Sequence, residues 1–144
     1  MTDNKPLAGW RVLVVDDEFD SRMVATILLE DAGAQVIEAE HGQEAWEILQ
    51  RDKPNLVLSD LSMPVMDGWR LMGEINKDRA LGEIPVIALT AHAMVGDRAR
   101  AIAAGFCNHI TKPLDPTKFI EQLLTIVVEF RELQHLMHIP ATVR

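Results

Sequence analysis

The sequence is poor in cysteine, in aromatic residues and in positive charge. Its 144 residues include one cysteine and no tyrosine, and 5% of them are aromatic. A single cysteine excludes a disulfide framework within one chain and is typical of a reducing compartment. We interpret Cys107, which lies in a predicted strand, as an inert buried thiol. The 14 Lys and Arg against 22 Asp and Glu leave a net charge of −8, which disfavours a nucleic-acid-binding role because that role needs a basic face.

Long apolar runs are also missing. No stretch approaches the roughly 18 apolar residues that would suggest a membrane span, and the polar residues 1–9 lack an apolar core of signal-peptide length. With 48% hydrophobic and 25% charged residues, the composition is typical of a globular chain. We therefore expect a cytoplasmic, single-domain protein whose partners are proteins or cations.

Short apolar runs alternate with longer segments of helical spacing. Three of the five short runs are nearly all apolar, as expected of strands that are covered on both faces, and the last is weaker, as expected nearer an edge. Alternation repeated five times predicts an α/β fold, a doubly wound parallel sheet with helices on both faces. Gly33 and Gly105 stand where helices should end. The predicted strands are residues 10–15, 35–39, 55–59, 85–89 and 106–110.

Helical spacing also predicts which faces are buried. Val24, Ile27 and Leu28 share one face of the first predicted helix. The fourth helix is predicted over 93–104, and the fifth begins at Thr117. Further faces are assigned to Ala45, Ile48 and Leu49 and to Trp69, Met72 and Ile75.

The pattern of the fifth helix continues for about 20 residues, longer than a sheet-packed helix needs. We divide the chain into an N-terminal arm at 1–8, a domain at 9–128 and an extension of the last helix at 129–144. The extension would present an apolar stripe, a candidate dimer or partner surface, although a frayed tail or a linker is equally compatible. The stripe comprises Phe130, Leu133, Leu136 and Met137.

Polar side chains follow four of the predicted strands. Asp16 and Asp17 follow the first, Asp60 the third, Thr90 the fourth and Lys112 the fifth. The carboxyl ends of parallel strands meet at one edge of the sheet, where function gathers. We therefore expect three carboxylates, a hydroxyl and an ammonium around one concave site.

These residue types suit phosphoryl chemistry. Clustered carboxylates repel one another, and a hard cation such as Mg²⁺ or Mn²⁺ relieves that repulsion. An aspartate can act as a nucleophile and carry an acyl phosphate. Lys112 offers a positive charge and Thr90 a hydroxyl donor to phosphoryl oxygens. Phosphoryl transfer depends mainly on such positioning and neutralisation.

Four segments carry a family resemblance, and their sequences are VLVVDDE (12–18), PNLVLSDLSMPVMDGW (54–69), PVIALTAHA (85–93) and AAGFCNHITKPLD (103–115). On these motifs the chain resembles the response-regulator receiver domains of two-component signalling, of the chemotaxis-regulator type, over residues 10–128. The resemblance implies the flavodoxin-like strand order 2-1-3-4-5. It also implies that Asp60 accepts a phosphoryl group from a histidine kinase or a histidine phosphotransfer protein.

The resemblance further implies a metal site. Mg²⁺, for which Mn²⁺ could substitute, would contact Asp17, Asp60 and the backbone carbonyl of Ser62 directly, and Asp16 largely through water. Lys112 would pair with the phosphoryl group, and its bond to the following proline would be cis.

The resemblance also implies which residues take part in the conformational switch and which ones set the lifetime of the phosphoryl group. Thr90 would swing toward the phosphoryl oxygen, coupled to a residue that is usually Tyr or Phe in the family and is His109 here. An imidazole can make a similar move, but a partly buried polar side chain is an equal interpretation. Ser62 and His92 occupy positions that tune phosphoryl lifetime in the family, although His92 could be an ordinary exposed histidine.

The leading hypothesis is a stand-alone signalling switch, not an enzyme, with output through protein–protein binding. The face built from the fourth helix, fifth strand and fifth helix would change on phosphorylation and could form a homodimer, and no effector domain is expected after Val128. One alternative is the terminal receiver of a larger hybrid kinase. The other is a Mg²⁺-dependent phosphatase of haloacid-dehalogenase type, whose nucleophile would follow the first strand, at Asp16.

Overall fold

Five short strands form one parallel sheet in the order β2-β1-β3-β4-β5. The computed structural model describes residues 5–91 and 96–138, with side chains as far as residue 130. The strands are β1 Arg11–Val15, β2 Gln35–Ala39, β3 Leu56–Asp60, β4 Val86–Thr90 and β5 Asn108–Thr111. The helices are α1 Phe19–Asp31, α2 Gly42–Arg51, α3 Gly68–Lys77, α4 Asp97–Ala104 and α5 Phe119–His138. The predicted fold class and strand order are confirmed.

The two faces of the sheet bury separate apolar clusters. Because side chains alternate along a strand, Val12 and Val14 of β1 enter a cluster with α1 and α5, while Leu13 and Val15 enter one with α2, α3 and α4. The central strands β1, β3 and β4 are almost wholly buried. β5 lies at an edge and is only half-buried, as its weaker apolar pattern predicts.

Short polar side chains and glycines set the helix ends. Asp67 caps α3 by accepting a hydrogen bond from the backbone N–H of Arg70 at 2.8 Å. Gly33 after α1 and Gly105 at the end of α4 have φ angles of +102° and +114°, the left-handed region that favours glycine. Both predicted helix stops are confirmed.

The apolar face predicted for α1 is only partly correct, because Leu28 packs against the core whereas Val24 and Ile27 are exposed. Val24 and Ile27 are 39% and 55% exposed, and α1 instead buries Arg22, Ala25, Thr26 and Leu29. These four positions have ideal i, i+3, i+4, i+7 spacing. The apolar pattern missed them because the first is a cation and the third a hydroxyl residue. The buried faces predicted for α2 and α3 are confirmed except that Trp69 is only half-buried.

Several boundaries differ from the prediction by a few residues. β3 and β4 include Asp60 and Thr90 as their last residues, and α4 begins at Asp97. α5 begins at Phe119 because the Asp115 carboxylate accepts hydrogen bonds from the N–H and hydroxyl of Thr117, which fixes a turn first. Residues 1–4 of the predicted arm, His92, and the side chains of Leu133, Leu136 and Met137 lie outside the described part. None of the described helices is long and apolar enough to cross a membrane.

Candidate functional site

The ends of β1 and β3 bring three carboxylates together. Asp16, Asp17 and Asp60 each offer a carboxylate oxygen within 4.8 Å of the others. Asp16 is fully buried and Asp60 nearly so, whereas Asp17 is exposed. β1 and β3 are adjacent strands in register, so their carboxyl ends meet at the same edge of the sheet. The predicted acidic cluster is therefore present.

Asp16 is held in place by its neighbours. Its backbone N–H donates to the carbonyl of Ala39 at 3.0 Å, which extends the β1–β2 ladder. Its carboxylate accepts from the N–H of Glu18 at 2.9 Å, and its backbone carbonyl accepts from the Arg22 guanidinium at 2.7 Å. The same guanidinium pairs with Glu38 at 2.9 Å. The Arg22 side chain of α1 thus holds the loop that carries Asp16 and Asp17 in place.

Lys112 reaches into the cluster from the end of β5. Its ammonium lies 3.2 Å from Asp16 Oδ2, 3.3 Å from Asp60 Oδ2 and 2.9 Å from Glu18 Oε1. The side chain is 9% exposed, so little water screens these contacts. The Lys112–Pro113 peptide bond is cis, as the family resemblance predicts.

The pKa values of Asp60 and Lys112 are both raised, for different reasons. Burial raises the pKa of Asp60 to about 6, and the charge of Asp16 adds to the rise, while Lys112 and the N–H of Leu61 oppose it. Burial lowers the pKa of Lys112, but its contacts with Glu18, Asp16 and Asp60 raise that pKa above the ordinary value. The lysine is therefore charged at neutral pH.

The donor set fits a hard divalent cation. Among residues 5–91 and 96–130, one ammonium faces the three clustered carboxylates and Glu18, so negative charge is in excess among these groups. Carboxylate oxygens beside an exposed Asp17, where water has access, are ligands that suit Mg²⁺.

Thr90 lies at the end of β4, beside β3. The residue is 5% exposed, and its hydroxyl has no hydrogen-bond partner among the described residues. Thr90, Asp60 and the exposed Ser62 line one cavity of about 240 Å³. A buried hydroxyl without a hydrogen-bond partner destabilises the folded state. The Thr90 hydroxyl can therefore donate a hydrogen bond to an oxygen atom of a group bound beside Asp60.

His109 shares a sheet face with Thr90. It pairs with Ala88, two residues before Thr90 on β4, and residues two apart in a strand point to the same side. Its Nδ1 atom is buried without a partner among the described residues. The structure thus brings six of the eight predicted site residues to the carboxyl-terminal edge of the sheet, and it places His109 on the same sheet face as Thr90. His92 lies outside the described part.

Four residues near the site were not given a functional role from the sequence, and one of them, Trp69, was assigned only to the face of a helix. Glu18 pairs with Lys112, and Arg22 supports Asp16. Arg100 lies over the ring of Trp69 at 4.4 Å, and both line the cavity beside Asp60. The spacing of Arg22 with buried α1 residues was a usable signal, but none marked the contact between Arg100 on α4 and Trp69 on α3.

Comparisons with known proteins agree with this geometry. Residues 12–124 match the family model described as "Response regulator receiver domain". The chain is 43% identical over 114 residues to an uncharacterized 14.6 kDa protein in the sodA1 3′ region of Leptolyngbya boryana, covering 79% of this chain and 87% of that protein. It is 38% identical over 106 residues to response regulator Rre1 of Synechocystis sp., covering 73% of this chain and 46% of Rre1.

A solved structure shares the fold over nearly its whole length. The chemotaxis response regulator CheY4 of Vibrio cholerae superimposes with a TM-score of 0.77 and 27% identity, covering 81% of this chain and 98% of that one. The chain spans about half the length of Rre1, so the full length and output of such relatives do not transfer to it. The family match covers well over half of the sequence, and the chain belongs to the response-regulator receiver domains of two-component systems.

Proposed function

We propose that this chain is a phosphorylation-activated response regulator in which Asp60 accepts a phosphoryl group from a histidine kinase or histidine phosphotransfer protein. Receiver domains are signalling switches that interact with such donors, and phosphorylation and Mg²⁺ binding are general features of the family. The observation that carries the proposal is the position of the buried Asp60 carboxylate among Asp16, Asp17 and the Lys112 ammonium.

The two oxygens of Asp60 have different surroundings. Oδ1 accepts the backbone N–H of Leu61 at 2.8 Å, which fixes the rotation of the carboxylate. Oδ2 is turned toward Lys112. In this arrangement Oδ2 is the attacking atom, and the ammonium is placed to neutralise an incoming phosphoryl oxygen.

The cofactor of the proposed reaction is Mg²⁺. The carboxylates of Asp16, Asp17 and Asp60 and the backbone carbonyl of Ser62 would hold it, and when bound it supplies positive charge to the phosphoryl oxygens. Substitution by Mn²⁺, a cytoplasmic location and the absence of enzymatic turnover stay predictions.

The proposed output is a change at the α4–β5–α5 face. Thr90 would use its hydroxyl, which has no partner among the described residues, to bind a phosphoryl oxygen. His109, on the same sheet face, would follow it. His109 also lines a cavity of about 310 Å³ between β5 and α5. Ile102 of α4 and Val128 of α5 are 42% and 52% exposed, so partner binding or homodimerisation through this face would cover apolar surface.

The test is the intact mass of the protein after incubation with Mg²⁺ and acetyl phosphate. We expect one added phosphoryl group on the wild type, dependent on Mg²⁺ and absent in Asp60→Asn. Asp31→Asn, which alters an exposed aspartate at the far end of α1, is the matched control and should be labelled normally. Labelling that survives Asp60→Asn, or turnover of a phosphomonoester that only Asp16→Asn abolishes, would support the phosphatase alternative instead.

A further inference from the structure

The Lys112 ammonium donates three hydrogen bonds, each to a different carboxylate. The acceptors are Glu18 Oε1 at 2.9 Å, Asp16 Oδ2 at 3.2 Å and Asp60 Oδ2 at 3.3 Å. A lysine ammonium has three N–H donors and no acceptor, so these contacts use all of them. A phosphoryl oxygen that arrives at Asp60 therefore has to replace one of the three carboxylates on Lys112.

The three carboxylates differ in how firmly they are held. Asp16 is fully buried, and its second oxygen accepts the backbone N–H of Glu18 at 2.9 Å. Asp60 is 7% exposed, and its Oδ1 accepts the backbone N–H of Leu61 at 2.8 Å. The Glu18 side chain is 64% exposed, so water can take the place of Lys112 there with the smallest loss of free energy. Glu18 is thus the contact that an incoming group displaces.

The Glu18 side chain reaches Lys112 and does not cap its own helix. Glu18 occupies the N-cap position of α1, yet its side chain makes no capping hydrogen bond. Its backbone carries the local structure, because the N–H donates to Asp16 and the carbonyl accepts the N–H of Arg22 at 3.0 Å. A change of the Glu18 side chain should therefore leave the loop that holds Asp16 intact.

We propose that Glu18 holds Lys112 in a resting position and slows the phosphorylation of Asp60, because its carboxylate competes with the phosphoryl group for the ammonium. The inference rests on the proposed phosphorylation of Asp60. Asp60 Oδ2 forms a bond to phosphorus while the bond between phosphorus and the leaving group breaks, and the leaving group takes the electron pair of that bond. The ammonium then exchanges the Glu18 carboxylate for a phosphoryl oxygen. Glu18 is a positioning residue that acts through Lys112.

The test measures two rates by intact mass, with acetyl phosphate as the donor at fixed Mg²⁺ and ionic strength. One is the initial rate of adduct formation, and the other is the rate of adduct loss after the donor is removed. For Glu18→Gln we expect adduct formation to be about threefold faster than in the wild type, the size of an exposed ion-pair contact. Adduct loss should be unchanged, because Glu18 has already left Lys112 in the adduct. A general disturbance of the site would change both rates.

Two further variants separate competition for Lys112 from the negative charge of this segment. Glu18→Asp keeps the charge but shortens the side chain, and an aspartate at an N-cap position favours the N–H groups of the helix. Its adduct formation should therefore also be faster than in the wild type. Asp20→Asn removes a charge of the same sign from the first turn of α1, at a residue that lines a cavity with Lys112. The three N–H groups of Lys112 go to other carboxylates, so the rate of this variant should equal that of the wild type.

The outcomes distinguish failure of this inference from failure of the proposed function. Adduct formation in Glu18→Gln that is no faster than in the wild type would overturn the inference alone. An equal acceleration in Glu18→Gln and Asp20→Asn, or a matching change in adduct loss, would do the same. A wild type that forms no adduct would overturn the proposed function and this inference with it.

Discussion

At the scale of single residues, the folded state disfavours the ionised form of Asp60. Asp60 is buried beside Asp16, and burial and that neighbouring charge together outweigh the stabilising effect of Lys112 on its ionised form. Its pKa of about 6 lies above the ordinary value of 3.8. The folded state therefore binds a proton at Asp60 more tightly than the unfolded state does. Stability is lost as the pH rises from about 4 to about 6.

We expect Asp60→Asn to stabilise the protein at pH 7 in the absence of metal. The uncharged amide removes an ionised group that the fold disfavours, and the gain in unfolding free energy is on the order of 3 kcal/mol, because one unit of pKa shift corresponds to about 1.4 kcal/mol. The difference in Tm between variant and wild type should shrink toward zero at pH 4, where Asp60 is protonated. It is measured by thermal unfolding across pH, with Asp31→Asn as the control. A pH-independent difference would contradict the raised pKa.

The residue types of the site were predictable, and their pairings were not. Asp16, Asp17, Asp60, Thr90 and Lys112 follow or end strands whose carboxyl ends must meet. That Lys112 also pairs with Glu18 depends on side-chain directions that strand position does not determine. Cys107 is only partly buried, but burial raises the pKa of its thiol to about 12 and keeps it protonated, so its inertness stays a prediction.

At the scale of elements, α1 shows where apolar periodicity fails. Its inner face carries a guanidinium, Arg22, whose charge is neutralised by Glu38 of β2 and whose other N–H groups reach the Asp16 carbonyl. A search for apolar residues therefore assigns the exposed Val24 and Ile27 to the core. Helices α2 and α3 present apolar inner faces, and their buried sides were predicted. The inner face of α1 differs from those of α2 and α3 because Arg22 makes a polar contact with the loop that carries Asp16, whereas α2 and α3 bury apolar side chains.

We expect Arg22→Met to weaken Mg²⁺ binding as well as stability. The change leaves the Asp16 carbonyl without its charged donor, which costs about 2 kcal/mol for a buried acceptor, and it frees the loop that carries Asp16 and Asp17. The measurement is Tm as a function of Mg²⁺ concentration, which reports metal affinity through linkage. The Mg²⁺-induced rise should need a several-fold higher concentration in the variant.

The matched control for Arg22→Met is Arg11→Met. Arg11 pairs with Asp52 at 3.0 Å, but the two side chains are 39% and 44% exposed, so its loss should cost less than about 1 kcal/mol. Its Mg²⁺ response should match that of the wild type. If both variants bind Mg²⁺ as the wild type does, Arg22 contributes to stability alone.

At the scale of the whole molecule, the fold was predictable because short apolar runs alternate with segments of helical spacing along the whole domain. Five apolar runs with helices between them allow few arrangements other than a doubly wound parallel sheet. The site residues were predicted from their positions after the strands, and the strand order came from the resemblance. That order makes β1 and β3 neighbours, which places Asp16 and Asp17 next to Asp60. The division at residue 128 is not marked by any break in the backbone, since α5 continues through it to His138.

The site and the proposed output face lie at different parts of this one sheet, and His109 is placed between them. It shares a sheet face with Thr90 and lines the cavity between β5 and α5. We expect phosphorylation to change hydrogen exchange in α4, β5 and α5 of the wild type. In His109→Ala the same phosphoryl adduct should form while that exchange response is reduced, because the methyl group cannot follow the movement of Thr90.

The control for His109→Ala is His41→Asn, which alters a histidine that caps α2 and keeps a capping side chain there. It should leave both labelling and the exchange response unchanged. A full exchange response in His109→Ala would show that the signal reaches α5 without this side chain. A loss of labelling would instead place His109 in the chemistry at Asp60. The expected result, labelling without response, assigns His109 to coupling, because the side chain is then dispensable for phosphoryl transfer and needed for the change at the output face.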